Sequence, residues 1–251
     1  MQAESVCPEA VTLPYQTQRM IETTIPERLA AVRSRIVAAA RRSGRHPDEI
    51  TLVAVTKNVE IARIKDVINA GIRDCGENYV SEALAKQQDF SASDTVVSWH
   101  FIGHLQRNKV KDVVDRFALI QSIDSLPLAR ELGARAHRSG HEARILLQVK
   151  LDTSRTKFGV GIEDTVLTAR AASEIPGIQV VGLMGMAPFF EEAELARSYF
   201  RSLRTLYEKL PPESRQILSM GMTADFEVAI EEGATMVRIG AAIFGPRATP
   251  G

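Results

Sequence analysis

The feature of this sequence that most constrains its fold is a regular alternation between short apolar runs and stretches with helical periodicity. The run Ile145–Val149 is almost continuously apolar, as expected of parallel strands that are buried on both faces. The clearest helical stretch is 191–210, which has one apolar face and an acidic first turn. In all, eight apolar runs occur, and they begin near Leu52, Ile72, Val97, Ala118, Ile145, Val180, Ile217 and Met236.

Eight strand–helix units in a chain of 251 residues predict an α/β fold, a single (β/α)8 barrel of the TIM type. A doubly wound open sheet is the alternative. Thr24 and Glu27 have the spacing of a capping box, so we expect an extra N-terminal helix that ends at Gly44. Residues 1–23 lack periodicity and are expected to be an extension, whereas 24–251 contain no linker and are expected to form the barrel domain.

Composition and charge argue against several classes of partner. The 31 Lys and Arg residues balance 31 Asp and Glu residues, which disfavours nucleic acid or an anionic membrane. No apolar run reaches the roughly 18 residues of a membrane span, and the N-terminus lacks the pattern of a secretory signal. Cys7 and Cys75 are too few for a disulfide framework, so a reducing cytoplasm is expected. His100 and His104 are separated by a glycine that disfavours a zinc-binding helix, so no metal site is predicted.

Lys57 is the candidate nucleophile, because it directly follows strand 1 and the active face of such a barrel lies at the C-terminal ends of its strands. In an apolar pocket its amine is desolvated, which favours the neutral form. A neutral amine can form a Schiff base with an aldehyde or ketone. Most lysines are exposed or ion-paired, however, and spacing alone does not separate Lys57 from these.

The loops after strands 7 and 8 lie where barrels often bind phosphate. The first offers the Ser219 hydroxyl, Gly221 and Thr223, and the second offers Gly240, which allows backbone N–H groups to approach an anion. Tight turns alone would also explain these glycines. Together with Lys57, the two loops favour a phosphorylated carbonyl compound, either a sugar phosphate or pyridoxal 5'-phosphate.

Arg238 interrupts the apolar pattern of strand 8, and a buried charge needs a partner. A carboxylate such as Glu77 or Asp225 could neutralise it within the fold. Alternatively, Arg238 could donate a hydrogen bond to the ring nitrogen of a cofactor.

Several motifs in the same order resemble the pyridoxal phosphate homeostasis protein family (YggS/PROSC type), over about Pro26 to Arg247. This family is similar to the barrel domain of alanine racemase, so the resemblance implies a fold-type III barrel that holds pyridoxal 5'-phosphate. The motifs are Ala54–Lys57, Gly76–Val80, Trp99–Lys109, Leu218–Phe226 and Met236–Gly245.

The resemblance also implies a role for individual residues. Lys57 matches the family's Schiff-base lysine, Asn78 matches the asparagine beside the cofactor, and Arg238 matches the arginine that faces the pyridine nitrogen. The phosphate loops match 219–223 and 240–241. Two departures occur: Ala241 stands where the family often has Thr or Ser, and the segment Ala187–Phe190 is bulkier than expected.

The function implied is intracellular storage and delivery of pyridoxal 5'-phosphate to apo-enzymes by a cytoplasmic monomer without robust catalysis. A racemase needs acid–base groups on both faces of the substrate carbon. In alanine racemase one of these is a tyrosine from a second domain, for which no room is expected after strand 8. An arginine at the ring nitrogen also weakens the cofactor as an electron sink. A low-activity racemase, a Schiff-base aldolase and a purely structural role are the alternatives.

Overall fold

Eight parallel strands close into a barrel in the computed structural model, which describes residues 23–91, 96–152 and 158–245. Each strand pairs with the next along the chain, β8 pairs with β1, and β4 pairs with β5 to complete the circle. A two-residue strand, Val160–Gly161, also pairs with β5. The barrel strands are β1 Thr51–Val55, β2 Asp74–Glu77, β3 Ser98–Phe101, β4 Leu119–Ile123, β5 Ala143–Lys150, β6 Ile178–Gly185, β7 Ile217–Ser219 and β8 Met236–Ile239.

The predicted (β/α)8 barrel is therefore confirmed, and the open-sheet alternative is wrong because the edges of the sheet pair with each other. The proposed extension falls almost wholly on residues 1–22, which lie outside the described residues. The helices in the described ranges are α1 Ile25–Arg42, α2 Ile61–Asn69, α3 Val80–Phe90, α4 Val110–Val113, α5 Leu126–Arg138, α6 Thr165–Ser173, α7 Arg197–Glu208, α8 Phe226–Glu231 and α9 Ala241–Phe244.

The additional N-terminal helix α1 begins at the predicted capping box. The Thr24 hydroxyl accepts a hydrogen bond from the Glu27 N–H at 3.4 Å, and the Glu27 carboxylate accepts one from the Thr24 N–H at 2.7 Å. Leu29, Val32 and Ile36 are buried on one face of α1, which packs against α2, α8 and α9. This helix therefore lies against the strand-8 side of the barrel.

The helix predicted over 191–210 is shorter than expected. A 3-10 turn at Ala193–Ala196 leads into α7, which ends at Glu208. Pro211 follows shortly after, and a proline cannot donate the hydrogen bond that would continue the helix. Within the described ranges, no helix combines the length and apolar character needed to cross a membrane.

The barrel lumen contains a small apolar core that is separate from the larger core between strands and helices. Since successive side chains of a strand point to opposite faces, alternate residues of each barrel strand enter the lumen. The polar side chains buried on the strands include His100, Gln121, Ser219 and Arg238. The buried apolar residues of this small core are Val53, Leu119, Leu146, Val181, Met184 and Met236.

Candidate functional site

A cavity of about 560 Å³ lies at the C-terminal ends of the strands. It contains five of the seven residues that the sequence singled out: Lys57, Asn78, Arg238, Gly240 and Ala241. Its remaining walls come from Val55, Ile102, Met186, Phe189, Met222, Thr223 and Ala224. Phe189, from the segment that departs from the family pattern, is 83% exposed.

Lys57 lies in a turn whose two flanks are fixed by α3. The Lys86 ammonium donates a hydrogen bond to the Thr56 carbonyl at 2.6 Å. On the other side, the Asn58 N–H donates to the Glu82 carboxylate at 2.6 Å. Asn58 has a φ of 56°, a left-handed conformation that asparagine tolerates better than most residues. The half-buried Lys57 side chain therefore starts from a well-defined backbone position.

A buried ion pair below this turn holds α3 against the end of β2. The Lys86 ammonium lies 2.8 Å from the Glu77 carboxylate and 2.6 Å from the Glu82 carboxylate. The Thr56 hydroxyl also donates to Glu77, at 2.5 Å. Burial raises the pKa of the Glu77 carboxyl, and the contacts with Lys86 and Thr56 oppose that rise. Sequence reasoning missed Lys86, for which the only signal is its position four residues after Glu82.

Asn78 contributes an acceptor that has no partner. Its side-chain oxygen is buried and makes no hydrogen bond in the described part of the chain. Gly103 is required beside it, because a Cβ at that position would lie 2.1 Å from the Asn78 carbonyl oxygen. The backbone of the β2 end and the loop after β3 therefore meet closely at this wall of the cavity.

The loops after β7 and β8 border the cavity and contain backbone N–H groups that make no hydrogen bond within the described residues. The Asp225 carboxylate accepts a hydrogen bond from the Met222 N–H at 2.7 Å and so folds the first loop. The Thr223 hydroxyl accepts one from the Ala242 N–H at 3.4 Å and ties this loop to the second. The backbone N–H groups of four cavity-lining residues have no hydrogen-bond acceptor among the described residues: Thr223, Ala224, Gly240 and Ala241.

Arg238 forms the floor of the cavity and is 4% exposed. One of its nitrogens donates to the Ser219 hydroxyl at 2.5 Å and another to the Gly185 carbonyl at 3.0 Å. Burial lowers the pKa of the guanidinium to about 10, and the nearby Asp225 carboxylate opposes that shift. The sequence offered two carboxylates as partners of Arg238. Asp225 interacts with it electrostatically, whereas Glu77 pairs with Lys86.

Ser219 and Gly221 do not line the cavity, contrary to the expectation that they contact a phosphate directly. The Ser219 hydroxyl is fully buried and is bound to Arg238 and Gln121. Gly221 has a φ of 90°, and a Cβ there would lie 2.6 Å from the Ala229 side chain. Both residues therefore lie beneath the site, and the residues that follow them, Thr223 and Ala224, line the cavity.

The Cys75 thiol is a core group. It is fully buried, and burial raises its pKa to about 12, which disfavours the reactive thiolate. Among the described residues, no group of three or more His, Cys, Asp or Glu side chains is arranged to hold a metal ion.

Comparison with known proteins identifies related sequences and the same fold elsewhere. Residues 28–248 match the family described as alanine racemase, N-terminal domain. A pyridoxal phosphate homeostasis protein of Aquifex aeolicus is 41% identical over 224 residues, which cover 88% of this chain and 97% of that protein. The Pseudomonas aeruginosa protein of the same name is 38% identical over 225 residues, which cover 90% and 96%.

Solved structures are similar over the same region. PipY of Synechococcus elongatus, with pyridoxal phosphate bound, matches with a TM-score of 0.77 and 35% identity, covering 88% of this chain and 100% of that one. Alanine racemase of Clostridium difficile matches with a TM-score of 0.67 but only 14% identity, covering 88% of this chain and 57% of that one. The racemase therefore shares the fold.

Replacing Lys86 tests the ion pair that holds the Lys57 turn. Lys86→Met leaves Glu77 as a buried, unneutralised carboxylate, so the free energy of unfolding should fall by about 3–5 kcal/mol. Loss of Lys86 lets the pKa of Glu77 rise further. A carboxyl whose pKa is raised in the folded state contributes stability at low pH, and this stability is lost as the pH rises. The loss of unfolding free energy in Lys86→Met should therefore be smaller at roughly pH 5 than at roughly pH 8. Denaturant titrations at both pH values measure it.

The double variant Lys86→Met/Glu77→Gln is the matched control. It removes both charges and should regain part of the lost stability, with a weaker dependence on pH. A deficit in Lys86→Met that is the same at both pH values would contradict the account.

Proposed function

Because the chain belongs to the pyridoxal phosphate homeostasis protein family, whose barrel is that of the alanine racemase N-terminal domain, we propose that it binds pyridoxal 5'-phosphate in cofactor homeostasis. Storage and delivery of the cofactor, without robust catalysis, is the function that the cavity supports best. The relatives are named for this homeostasis, and PipY binds the same compound in a related barrel.

The observation that carries the proposal is the set of donors and acceptors around one cavity. It holds an amine at Lys57, a buried guanidinium at Arg238 and an orphaned acceptor at Asn78. Four backbone N–H groups without a partner in the described residues lie in the loops after β7 and β8. An aldehyde, a pyridine nitrogen, a phenolic hydroxyl and a phosphate are the matching groups of pyridoxal 5'-phosphate, so the residues present fit it.

Each of these residues would take one part in holding the cofactor. When bound, pyridoxal 5'-phosphate supplies an aldehyde that reacts with amines. Lys57 would provide that amine, and the N–H groups of 223–224 and 240–241 would donate to the phosphate. Because these are backbone donors, Ala241 can serve even though it lacks the hydroxyl of Thr or Ser. Arg238 would donate to the ring nitrogen, since a guanidinium has no acceptor.

The cavity lining supports binding without catalysis. Among the described residues that line it, Lys57 and Arg238 are the only side chains that can ionise. A racemase would need a second acid–base group on the opposite face of the substrate carbon. An arginine at the ring nitrogen would also keep that nitrogen unprotonated, which weakens stabilisation of a carbanion.

Delivery to apo-enzymes, a monomeric state and a cytoplasmic location complete the proposal. The wide mouth of the cavity, bordered by the exposed Phe189 and Met222, suits exchange of a small ligand. The buried thiol of Cys75 is compatible with a reducing compartment.

Lys57 should be the residue that carries the cofactor. After loading with pyridoxal 5'-phosphate and reduction with borohydride, peptide mapping by mass spectrometry should find the added mass on Lys57. The Lys57→Ala variant should lose this adduct and still fold, whereas the exposed control Lys209→Ala should behave as the wild type. A mass found only on another lysine would refute the assignment.

The phosphate should be held by backbone N–H groups of the two loops. Two or more hydrogen bonds to a charged group, at about 1.5–3 kcal/mol each, correspond to about 100-fold or more in affinity. We therefore expect 4-deoxypyridoxine 5'-phosphate to bind at least about 100-fold more tightly than 4-deoxypyridoxine. Neither compound has an aldehyde, so Lys57 does not affect the comparison, which calorimetry can measure.

In the same protein labelled with ¹⁵N, inorganic phosphate should shift the amide signals of Thr223, Ala224, Gly240 and Ala241. Equal affinity for the two deoxypyridoxine compounds, or shifts confined to other amides, would count against this phosphate site.

The loaded protein should not accelerate proton exchange at the α-carbon of an amino acid. With L-alanine in D₂O, deuterium incorporation followed by NMR should be no faster than with the same concentration of free pyridoxal 5'-phosphate. The reason is the lack of a second acid–base side chain in the described lining. Sustained exchange or racemisation would instead favour a racemase.

A further inference from the structure

A line of buried polar side chains crosses the barrel lumen from the cavity floor to the opposite end of the strands. Arg238 donates to Ser219 at 2.5 Å, and the Ser219 hydroxyl lies 2.7 Å from the Gln121 side-chain oxygen. The Gln121 amide nitrogen lies 3.0 Å from His100 Nδ1. His100 Nε2 lies 3.0 Å from the Asp74 carboxylate. We call these five residues the lumen relay.

The chemistry of Arg238 determines the direction of every bond in the lumen relay. A guanidinium only donates, so the Ser219 oxygen must accept from it. The Ser219 hydroxyl then donates to Gln121, its only acceptor among the described residues. This places the Gln121 oxygen toward Ser219 and its NH₂ group toward His100 and the Met236 sulfur, which lies 3.2 Å away.

His100 must therefore accept a hydrogen bond at Nδ1, which leaves its proton on Nε2. That proton points to Asp74, and the Ser98 hydroxyl lies 3.3 Å from the same nitrogen. Asp74, on the neighbouring strand β2, is the charged group within hydrogen-bond reach of the ring in the described residues. A proton on Nδ1 would face the Gln121 NH₂ group, and the chain of donors would be broken.

The outer end of the lumen relay opens away from the cofactor cavity. The Asp74 side chain is 30% exposed and borders a second cavity of about 480 Å³ beside α1, at the N-terminal ends of the strands. By contrast, His100, Gln121, Ser219 and Arg238 are all at least 96% buried. A solvent-accessible carboxylate thus terminates a buried chain of donors that begins at the cavity floor.

We propose that Ser219, Gln121 and His100 are positioning residues that hold the Arg238 guanidinium toward the ring nitrogen of the cofactor, with Asp74 as the terminal acceptor. This inference rests on the proposed binding of pyridoxal 5'-phosphate. With one nitrogen held by Ser219 and another by the Gly185 carbonyl, the remaining N–H groups of Arg238 are available to the cavity that it lines. The function of Ser219 is then to orient Arg238 and not to bind phosphate.

The protonation of His100 tests the direction of the relay without any ligand. In the full-length protein labelled with ¹⁵N, the ring signals of His100, identified by their loss in His100→Asn, should show a neutral imidazole with its proton on Nε2 at neutral pH. A proton on Nδ1, alone or together with one on Nε2, would overturn the inferred direction.

Ligand affinity tests the coupling to Arg238. Ser219→Ala and Gln121→Leu should each weaken binding of pyridoxal 5'-phosphate by about ten-fold, because an oriented hydrogen bond to a charged group is lost. A second ligand is the analogue of pyridoxal 5'-phosphate that has C–H in place of the ring nitrogen. Both variants should bind this analogue with the same affinity as the wild type. Equal weakening for both ligands, or none for either, would overturn the positioning role.

Ser122→Ala is the matched control. Ser122 neighbours Gln121 on β4 and has a buried hydroxyl without a hydrogen-bond partner in the described residues. Its replacement should leave both affinities unchanged. If the wild type itself did not bind pyridoxal 5'-phosphate, the proposed function would fail. The position of the His100 ring proton would still test the direction of the hydrogen bonds in the lumen relay.

Discussion

The burial of the Arg238 guanidinium in the barrel lumen is the constraint on which the rest of the site depends. A charge in that position is expensive unless it is hydrogen-bonded and neutralised. Ser219 and the Gly185 carbonyl supply the hydrogen bonds, and Asp225 supplies a nearby negative charge. Asp225 also folds the loop that contains the cavity-lining residues Thr223 and Ala224. The requirements of one buried cation thus organise both the cavity floor and the neighbouring loop wall.

A second buried network holds the opposite wall. Lys86 lies between Glu77 and Glu82 and binds the carbonyl that precedes Lys57. The hydrogen bonds of these two networks therefore fix the backbone next to Lys57 and the side chain of Arg238, the two basic groups of the cavity. Between them, the described lining residues are apolar or carry neutral donors and acceptors. Such a surface is better suited to holding a ligand in one orientation than to transferring protons to or from that ligand.

Much of this could be predicted from the sequence, because strands buried on both faces are nearly continuous apolar runs and the residues after them fall on one end of the barrel. Lys57 follows from that rule. Arg238 was found because its charge interrupts a buried strand, and Asn78 was assigned through the family resemblance. The role of Ser219 does not, since whether a side chain at a strand end faces the cavity or the lumen depends on the register of the strand. Gln121 carried the same signal as Arg238, a polar residue in a buried strand. Its partner His100 lies on another strand, so only the folded structure brings the two together.

The central claim is that Arg238 presents a donor to the ring nitrogen of bound pyridoxal 5'-phosphate, so that the cofactor is held in a form unsuited to carbanion chemistry. The most direct test is NMR of the complex prepared with cofactor labelled with ¹⁵N in the ring, at neutral pH. The expected result is the chemical shift of an unprotonated, hydrogen-bonded pyridine nitrogen. The shift of a protonated pyridinium nitrogen would contradict it.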